Sequence, residues 1–566
     1  MRRAWPPLLF LSLVAACSAS PAPSGAPGPV YDVIVRGGTV YDGRGGPPFA
    51  GDVAIRGDRI AAVGALGAAS ARHVIDARGL AVAPGFINTL SHSEESLIQD
   101  GRALSDIRQG VTLEIFGESS MGPLNDEMRA RWKAVQTTVI YDYDWTTLDQ
   151  YLRYIEQRGL AVNVASLIGA GTVRERVLGM AARPAKPAEL AEMEQLVAQA
   201  MDEGALGLTS ALIYPPDVYS TTDELVALAR VTAGRGGVFT AHIRSEGNKI
   251  EVALDEVLRI AREARIPVEV YHLKLAGKGN WPKRDAVVSW FERARAGGAA
   301  IGANMYTYTA GATGLDAAMP PWVQEGGIHA WIRRLRDPAI RARVRREMET
   351  PTSEWENFFD YAGPDGIRFL EFKQPALRRY IGKTLAEVAA ERHVAPADAA
   401  MDLVVEDGTR VGTAYVLMSE ENVGRQIAQP WVSFGSDAAA MAPVAPFTDA
   451  SPHPRAYGNF ARLLARYVRD QHVLSLPEAI RRLTSLPAET YHLDRRGHLA
   501  PGDHADVVVF DPARVQDHAT FAKPHQLATG VLHVLTNGVP VLRDGEPTGA
   551  TPGRIVRRRG TPGSSI

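Results

Sequence analysis

The chain has 566 residues, of which 45% are apolar and 22% charged, and its formal net charge is −2 at neutral pH. That length exceeds what one ordinary core supports, so two or more domains are expected. The near-neutral balance gives no argument for a nucleic-acid or anionic-lipid surface, and the single cysteine excludes an internal disulfide.

At the N-terminus, Arg2 and Arg3 precede the apolar run PPLLFLSLVAAC. The run is too short for a permanent membrane span and has the form of a signal peptide. Leu13-Val14-Ala15-Ala16-Cys17 resembles a bacterial lipobox, which implies a lipid anchor at Cys17, and Ser18 after it points to the outer membrane. The alternative is an ordinary secretory signal with a chance cysteine. Residues 1–17 thus read as a lipoprotein signal peptide and 18–30 as a flexible tether. The expected location is the cell envelope, at its periplasmic face.

Residues 31–83 alternate like short strands, in YDVIVRGGTVYD, GDVAIRGDRIAAVG and RHVIDARGLAVAPG, with Gly-Asp and Gly-Gly turns between them. The same texture returns over 494–556, in HADVVVFDP and LHVLTNGVPVLRDG, ahead of a tail at 557–566. Both ends therefore predict one small β-sandwich domain. Between them, residues 84–493 alternate strands with amphipathic helices, the pattern of an α/β fold with a parallel (β/α)₈ TIM barrel. The strand candidates are AVAPGFINTL, VTLEIFGE, LAVNVASLIG, ALGLTSALI, GVFTAHI, IPVEVYHL, AAIGANMYTY and WVSFGSD. The connection from the seventh to the eighth is too long for a crossover and holds Trp322, Trp331 and Trp355, so an inserted subdomain is expected at about 313–425. It leaves the catalytic face, where it would act as a lid.

Two of these strands end in histidine: His242 and His272, thirty residues apart. A (β/α)₈ barrel spends roughly 30 residues per unit and carries its catalytic groups at the C-terminal strand ends, so both imidazoles fall side by side on one face. Asp437 ends another apolar strand. Two histidines and an aspartate on strand ends suggest a metal-dependent hydrolase.

These motifs resemble the amidohydrolase superfamily and, within it, the N-acyl-D-amino-acid deacylase (D-aminoacylase) family. VIVRGGTVYDG, GLAVAPGFIN, LTSALIYPPDVYSTTDELVALAR, FTAHIRSEG, YHLKLAGKGNW, FGSDA, HPRAYGNFARLLARYV, LTSLPAETYHL and GHLAPGDHADVVVFDP follow in the family's order over nearly the whole chain. The resemblance implies hydrolysis of the amide of an N-acyl amino acid, of D configuration, by a metal-activated water. Two departures stand out. The family's HxH pair after the first strand is here Leu90-Ser91-His92, and its metal-bridging cysteine is replaced by Ser119. A neutral serine is a poor zinc ligand.

One Zn²⁺ per chain is therefore expected on His242 and His272, completed by Glu118 or a water; the alternative for Glu118 is a salt bridge to a nearby Lys or Arg. His92 reads as a remnant ligand, a partner of a ligand or a rim residue. Asp437 would move the proton from water to the leaving nitrogen, since an amide's amine leaves badly unless protonated. Lys274, Tyr306 and Arg455 match the family's substrate-binding positions and suggest a carboxylate clamp, with Tyr214 lining the same pocket. Arg244 and Glu246 are expected to pair with each other or to brace the site. The expected partners are a small N-acyl amino acid and, through Cys17, a membrane, with no nucleic acid. A dipeptidase or cyclic-amide hydrolase of the isoaspartyl dipeptidase or hydantoinase type is the rival enzyme, and a non-catalytic binding lipoprotein the rival from another class.

Overall fold

The structure is a computed structural model that describes Met1 and residues 30–558. Cys17, the signal peptide and most of the tether and tail lie outside the described residues.

Strands from both chain ends share one sheet. Val30–Val40, Phe49–Arg56, Arg59–Gly64, Ser70–Asp76 and Ala81–Pro84 come from the N-terminal side, and Val507–Phe510, Val531–Thr536, Val539–Arg543 and Glu546–Pro547 from the C-terminal side. The seam is antiparallel pairing of Ala81–Pro84 with Val507–Phe510. Hydrogen bonding runs through all nine, and the first strand shifts register between Val35 and Gly38, its earlier part pairing with Ser70–Asp76. Ala81–Pro84 pairs on its other side with the first strand, at Thr39 and Val40. Residues two apart share a face, and Val33, Val35, Val53, Ile55, Val507 and Val509 form one buried cluster.

The middle of the chain supplies parallel strands in sequence order. Phe86–Ser91, Val111–Phe116 and Asn163–Ser166 form one sheet, while Ile168–Gly169, Gly207–Ala211, Val238–His242, Val268–Val270, Ile301–Met305 and Val432–Phe434 form another. At one seam Leu206 N–H donates to Ser166 O at 2.9 Å, and at the other Asp437 N–H donates to Leu90 O at 2.9 Å. Ser91 and Ala438 add a parallel bridge there.

The intervening helices follow from local chemistry. Thr221 caps Thr222–Ala233 through a reciprocal box with Glu224. In Ile250–Ala264 the buried positions Ile250, Ala253, Leu254, Val257, Leu258 and Ala261 recur at three-to-four spacing and lay one stripe on the sheet. Each fully buried Leu or Val there contributes about 1.5–3 kcal/mol.

Between Met305 and Val432 lies an antiparallel sheet of Ala310–Gly314, Ile367–Glu371 and Gly412–Val416. Six α-helices accompany it: Ile328–Leu335, Pro338–Glu349, Phe358–Gly366, Leu385–Arg392, Pro396–Asp407 and Glu420–Ile427. Its first strand starts at Ala310, four residues after Tyr306, so the chain leaves the parallel strands earlier than residue 313.

Candidate metal centre

Glu118, His242, His272, His92 and Asp437 meet at the C-terminal ends of the parallel strands. His242 is the last residue of its strand, and His272 follows Val268–Val270 by two positions. Their rings lie 4.5 Å apart, edge to face. Three of the five residues carry left-handed backbone: Glu118 at φ 67°, His272 at φ 35° and Asp437 at φ 50°. Such conformations are sparsely populated for residues other than glycine and persist only when their surroundings fix them. Here Thr209 Oγ1 accepts the Glu118 N–H at 3.1 Å, Asn304 Oδ1 accepts the His272 N–H at 2.6 Å, and Leu90 O accepts that of Asp437.

Glu118 is the hub. Its Oε1 lies 2.6 Å from His272 Nε2 and 3.3 Å from His242 Nδ1, and its Oε2 lies 3.8 Å from His92 Nε2. Among the described residues its ionic partners are these histidines, with no Lys or Arg. Burial pushes its carboxyl up, but hydrogen bonds from His242 and His272 outweigh that and hold it well below the usual range. One carboxylate oxygen facing two imidazole nitrogens fits a zinc ion, whose usual donors are nitrogen, thiolate and carboxylate. The ligand atoms of Glu118, His242 and His272 lie within 4.8 Å of one another, as do those of His92, Glu118 and Asp437, so two donor sets share this residue.

Leu90 and Ser119 contribute no donor to these sets. Leu90 is fully buried and packs beneath both Gly117 and Gly435. A Cβ on Gly117 would meet the Tyr271 hydroxyl at 2.4 Å and Leu90 Cδ1 at 2.8 Å, so the turn that aims Glu118 has no room for a side chain.

Glu246, buried four residues after His242, braces the site from behind. Its Oε1 lies 2.9 Å from His272 Nδ1 and 2.6 Å from Lys274 Nζ, and its Oε2 lies 3.6 Å from His242 Nε2. A carboxylate on the far nitrogen of a ligating histidine fixes its tautomer and orientation. Arg244 does not pair with Glu246. It reaches Glu256 at 2.9 Å and the Val218 and Ser220 carbonyls at 3.0 Å, because it points outward along the loop that begins at Tyr214.

Asp437 faces the hub from the other side. His92 Nε2 lies 3.0 Å from Asp437 Oδ1, and Arg455 Nη1 lies 2.7 Å from Oδ2. Burial raises the Asp437 carboxyl, but Arg455 foremost, with His272 and His92, brings it down to about 2. Burial lowers His92, and its hydrogen bond to Asp437 with the charge of Glu118 carries it up to about 9.

Both expected clamp cations are thus engaged by internal carboxylates, Lys274 by Glu246 and Arg455 by Asp437. Tyr306 lies between them: the Arg455 guanidinium stacks over its ring at 4.4 Å and the Lys274 ammonium sits 5.7 Å from the centroid. Its buried hydroxyl has no partner among the described residues. Tyr214 meets His242 edge-on at 5.4 Å. Lys274, Tyr306, Tyr214 and His242 line a cavity of about 390 Å³ together with Arg410 and Asp217, neither of which stood out in the sequence. Arg410 comes from the turn before the last strand of the inserted sheet, where it stacks over Tyr214 and binds Asp316 at 2.8 Å. No local sequence pattern marks either residue. Glu246 was signalled only by its four-residue spacing from His242.

A family described as "Amidohydrolase family" matches residues 73–542. N-acyl-D-glutamate deacylase of Alcaligenes xylosoxydans xylosoxydans is 32% identical over 527 residues, covering 93% of this chain and 96% of that protein. A D-aminoacylase structure described for its binuclear metal centre, with one-metal activation and second-metal attenuation, matches with a TM-score of 0.79 and 32% identity, covering 93% of this chain and 100% of that one. N-acyl-D-glutamate deacylase from Bordetella bronchiseptica, in complex with zinc and a phosphonate mimic of the tetrahedral intermediate, matches with a TM-score of 0.78 and 30% identity, covering 94% and 100%.

Proposed function

The chain belongs to the amidohydrolase family, and on that footing we propose that it hydrolyses N-acyl-D-amino acids to a carboxylate and a free amino acid. The observation that carries this reading is the convergence of Glu118 with His242 and His272 on one side of Asp437, at the ends of parallel strands. The two hydrogen-bonded seams support reading those strands as a closed (β/α)₈ barrel, with the nine-stranded sheet and the inserted subdomain as additions.

We assign one zinc ion per chain to Glu118, His242 and His272. When bound, zinc supplies a Lewis acid for the scissile carbonyl and lowers the pKa of a water toward about 7. The chain's own residues do the rest. Glu246 and Asn304 hold His272 in position. Asp437, aligned by His92, accepts a proton at its carboxylate and returns it to the leaving nitrogen. Arg455 and Tyr306 receive the substrate's α-carboxylate. A carboxylate arriving at Arg455 competes with Asp437 for the guanidinium. Lys274 acts through Glu246 and His272, so it is a positioning residue.

The test is amine release from N-acetyl-D- and N-acetyl-L-amino acids and from hydantoins by zinc-loaded protein. Turnover of the D series that a chelator abolishes is expected; turnover of hydantoins without N-acyl amino acids overturns the reading. The apolar run and lipobox-like stretch ending in Cys17 support export and anchoring in the cell envelope. Cys17→Ser is expected to move the protein from the membrane fraction to the soluble one.

A further inference from the structure

A second cavity, of about 560 Å³, opens from the same centre in another direction. His92, Asp437 and Arg455 stand among its lining residues, and Val139, Leu370 and Met441 give it an apolar wall. Three glutamates also line it: Glu94, Glu95 and Glu371. Among the described residues none of the three forms a salt bridge. Glu95 Oε1 accepts the Tyr141 hydroxyl at 2.8 Å, and Glu371 Oε1 accepts the Thr138 hydroxyl. Glu94 is 7% exposed, and its Oε1 has no hydrogen-bond partner.

The other charges in this lobe are accounted for. Arg455 is paired with Asp437, and His92 bonds the same carboxylate. Burial, together with Arg455, keeps His453 well below its usual value. A buried acid oxygen without a partner lacks a hydrogen bond that a bound ammonium supplies. The three glutamates are not among the groups whose ligand atoms lie within 4.8 Å of one another, so they do not form a cage for a metal ion. Acid heads set among apolar walls match an organic cation on a methylene stem, which buries its stem and keeps its charge on carboxylates.

We propose that this lobe is a subsite for a basic side chain, and that the preferred substrates are N-acyl-D-amino acids of the lysine, ornithine and arginine class. The proposal rests on the deacylase reading. Asp437, which serves the leaving nitrogen, and Arg455, which receives the α-carboxylate, both line this lobe, so the amino-acid half lies at its mouth and the side chain is the part that reaches the glutamates.

The experiment compares Nα-acetyl-D-lysine with N-acetyl-D-norleucine, its near-isosteric neutral partner, on wild type and on the Glu95→Gln/Glu371→Gln double variant. Wild type is expected to favour the lysine substrate in kcat/KM by about tenfold or more, the scale of one charge-assisted contact. The double variant is expected to lose that preference and keep its norleucine turnover. A single Glu371→Gln variant, at the half-buried end of its strand, covers the case in which the double variant does not fold; it is expected to lose part of the preference. Equal use of both substrates by wild type, or an undiminished lysine preference in the variants, overturns the subsite. If wild type turns over no N-acyl-D-amino acid, the deacylase reading fails. Calorimetric binding of the same two compounds then decides the subsite separately: tighter lysine binding that the variants lose supports it, and equal binding overturns it.

Discussion

Glu246→Gln separates stability from metal binding at this site. The carboxylate lies 2.6 Å from Lys274 Nζ and is, like Lys274, almost fully buried. Coulomb's law at an effective dielectric of about 20 gives about 6 kcal/mol for unit charges at that separation. Desolvation cancels part of this, and removing one member of a buried pair costs about 3–5 kcal/mol because the other charge is left without a partner. The loss is read from denaturant unfolding at pH 7 in chelator, so that zinc contributes nothing by mass action. Adding Lys274→Met removes the stranded ammonium and is expected to recover most of the loss. Zinc affinity is expected to stay about 10–100-fold weaker in both variants, because His272 Nδ1 has lost the acceptor 2.9 Å away that orients its ring. Wild-type stability in the single variant would refute the buried pair. Wild-type zinc affinity in the double variant would refute the bracing role.

Glu118→Gln is expected to lower zinc content per chain, measured by elemental analysis, by more than the roughly 10–100-fold affinity loss typical of a bracing residue; unchanged content removes Glu118 from the ligand set. Asp437→Asn is expected to keep its zinc while amide hydrolysis falls about 10²–10⁴-fold, the usual worth of a positioned acid–base group; loss of zinc along with activity would assign Asp437 to the metal. Glu269, buried inside the parallel strands and accepting the Ser433 hydroxyl, is raised by burial from 4.5 to about 7. A carboxyl raised on folding contributes stability in full below 4.5 and loses it as pH rises through about 7. The Glu269→Gln variant is therefore expected to gain on wild type by about 3 kcal/mol between pH 5 and pH 8, and a flat difference in unfolding free energy across that range counts against it.

The strand-end histidines were legible because a parallel strand read from its apolar run fixes where its last side chain points. The same reasoning located Asp437 and marked Glu118 as a candidate in place of Ser119. What the sequence hid was partnership across long separations. Lys274 looked like a substrate clamp because its place after a strand end says nothing of Glu246, which comes from the preceding strand's loop. Arg244 looked like a partner for Glu246, yet its charge is met by Glu256 on the following helix. The alternation of the β segments gave their faces but not which strand pairs with which, such as Ala81–Pro84 with Val507–Phe510. Glu371 joins Glu94 and Glu95 only because the inserted sheet returns over the centre, a contact between residues 277 positions apart that no local pattern carries.

Leu90 and Glu118 are best understood together. A histidine at position 90 would need a donor direction toward the metal, but the side chain there fills the space under Gly117 and Gly435. The left-handed turn at Glu118 then delivers a carboxylate whose two oxygens face different neighbours, Oε1 toward His242 and His272 and Oε2 toward His92. Glu118, His242 and His272 would hold a zinc ion without drawing on Asp437, whose partners are His92 and Arg455. A second ion on the other oxygen would draw on Asp437, the only remaining carboxylate in that donor set, and would engage the group that must protonate the leaving nitrogen. Occupancy of the second donor set, His92, Glu118 and Asp437, would compete with the proton transfer proposed for Asp437.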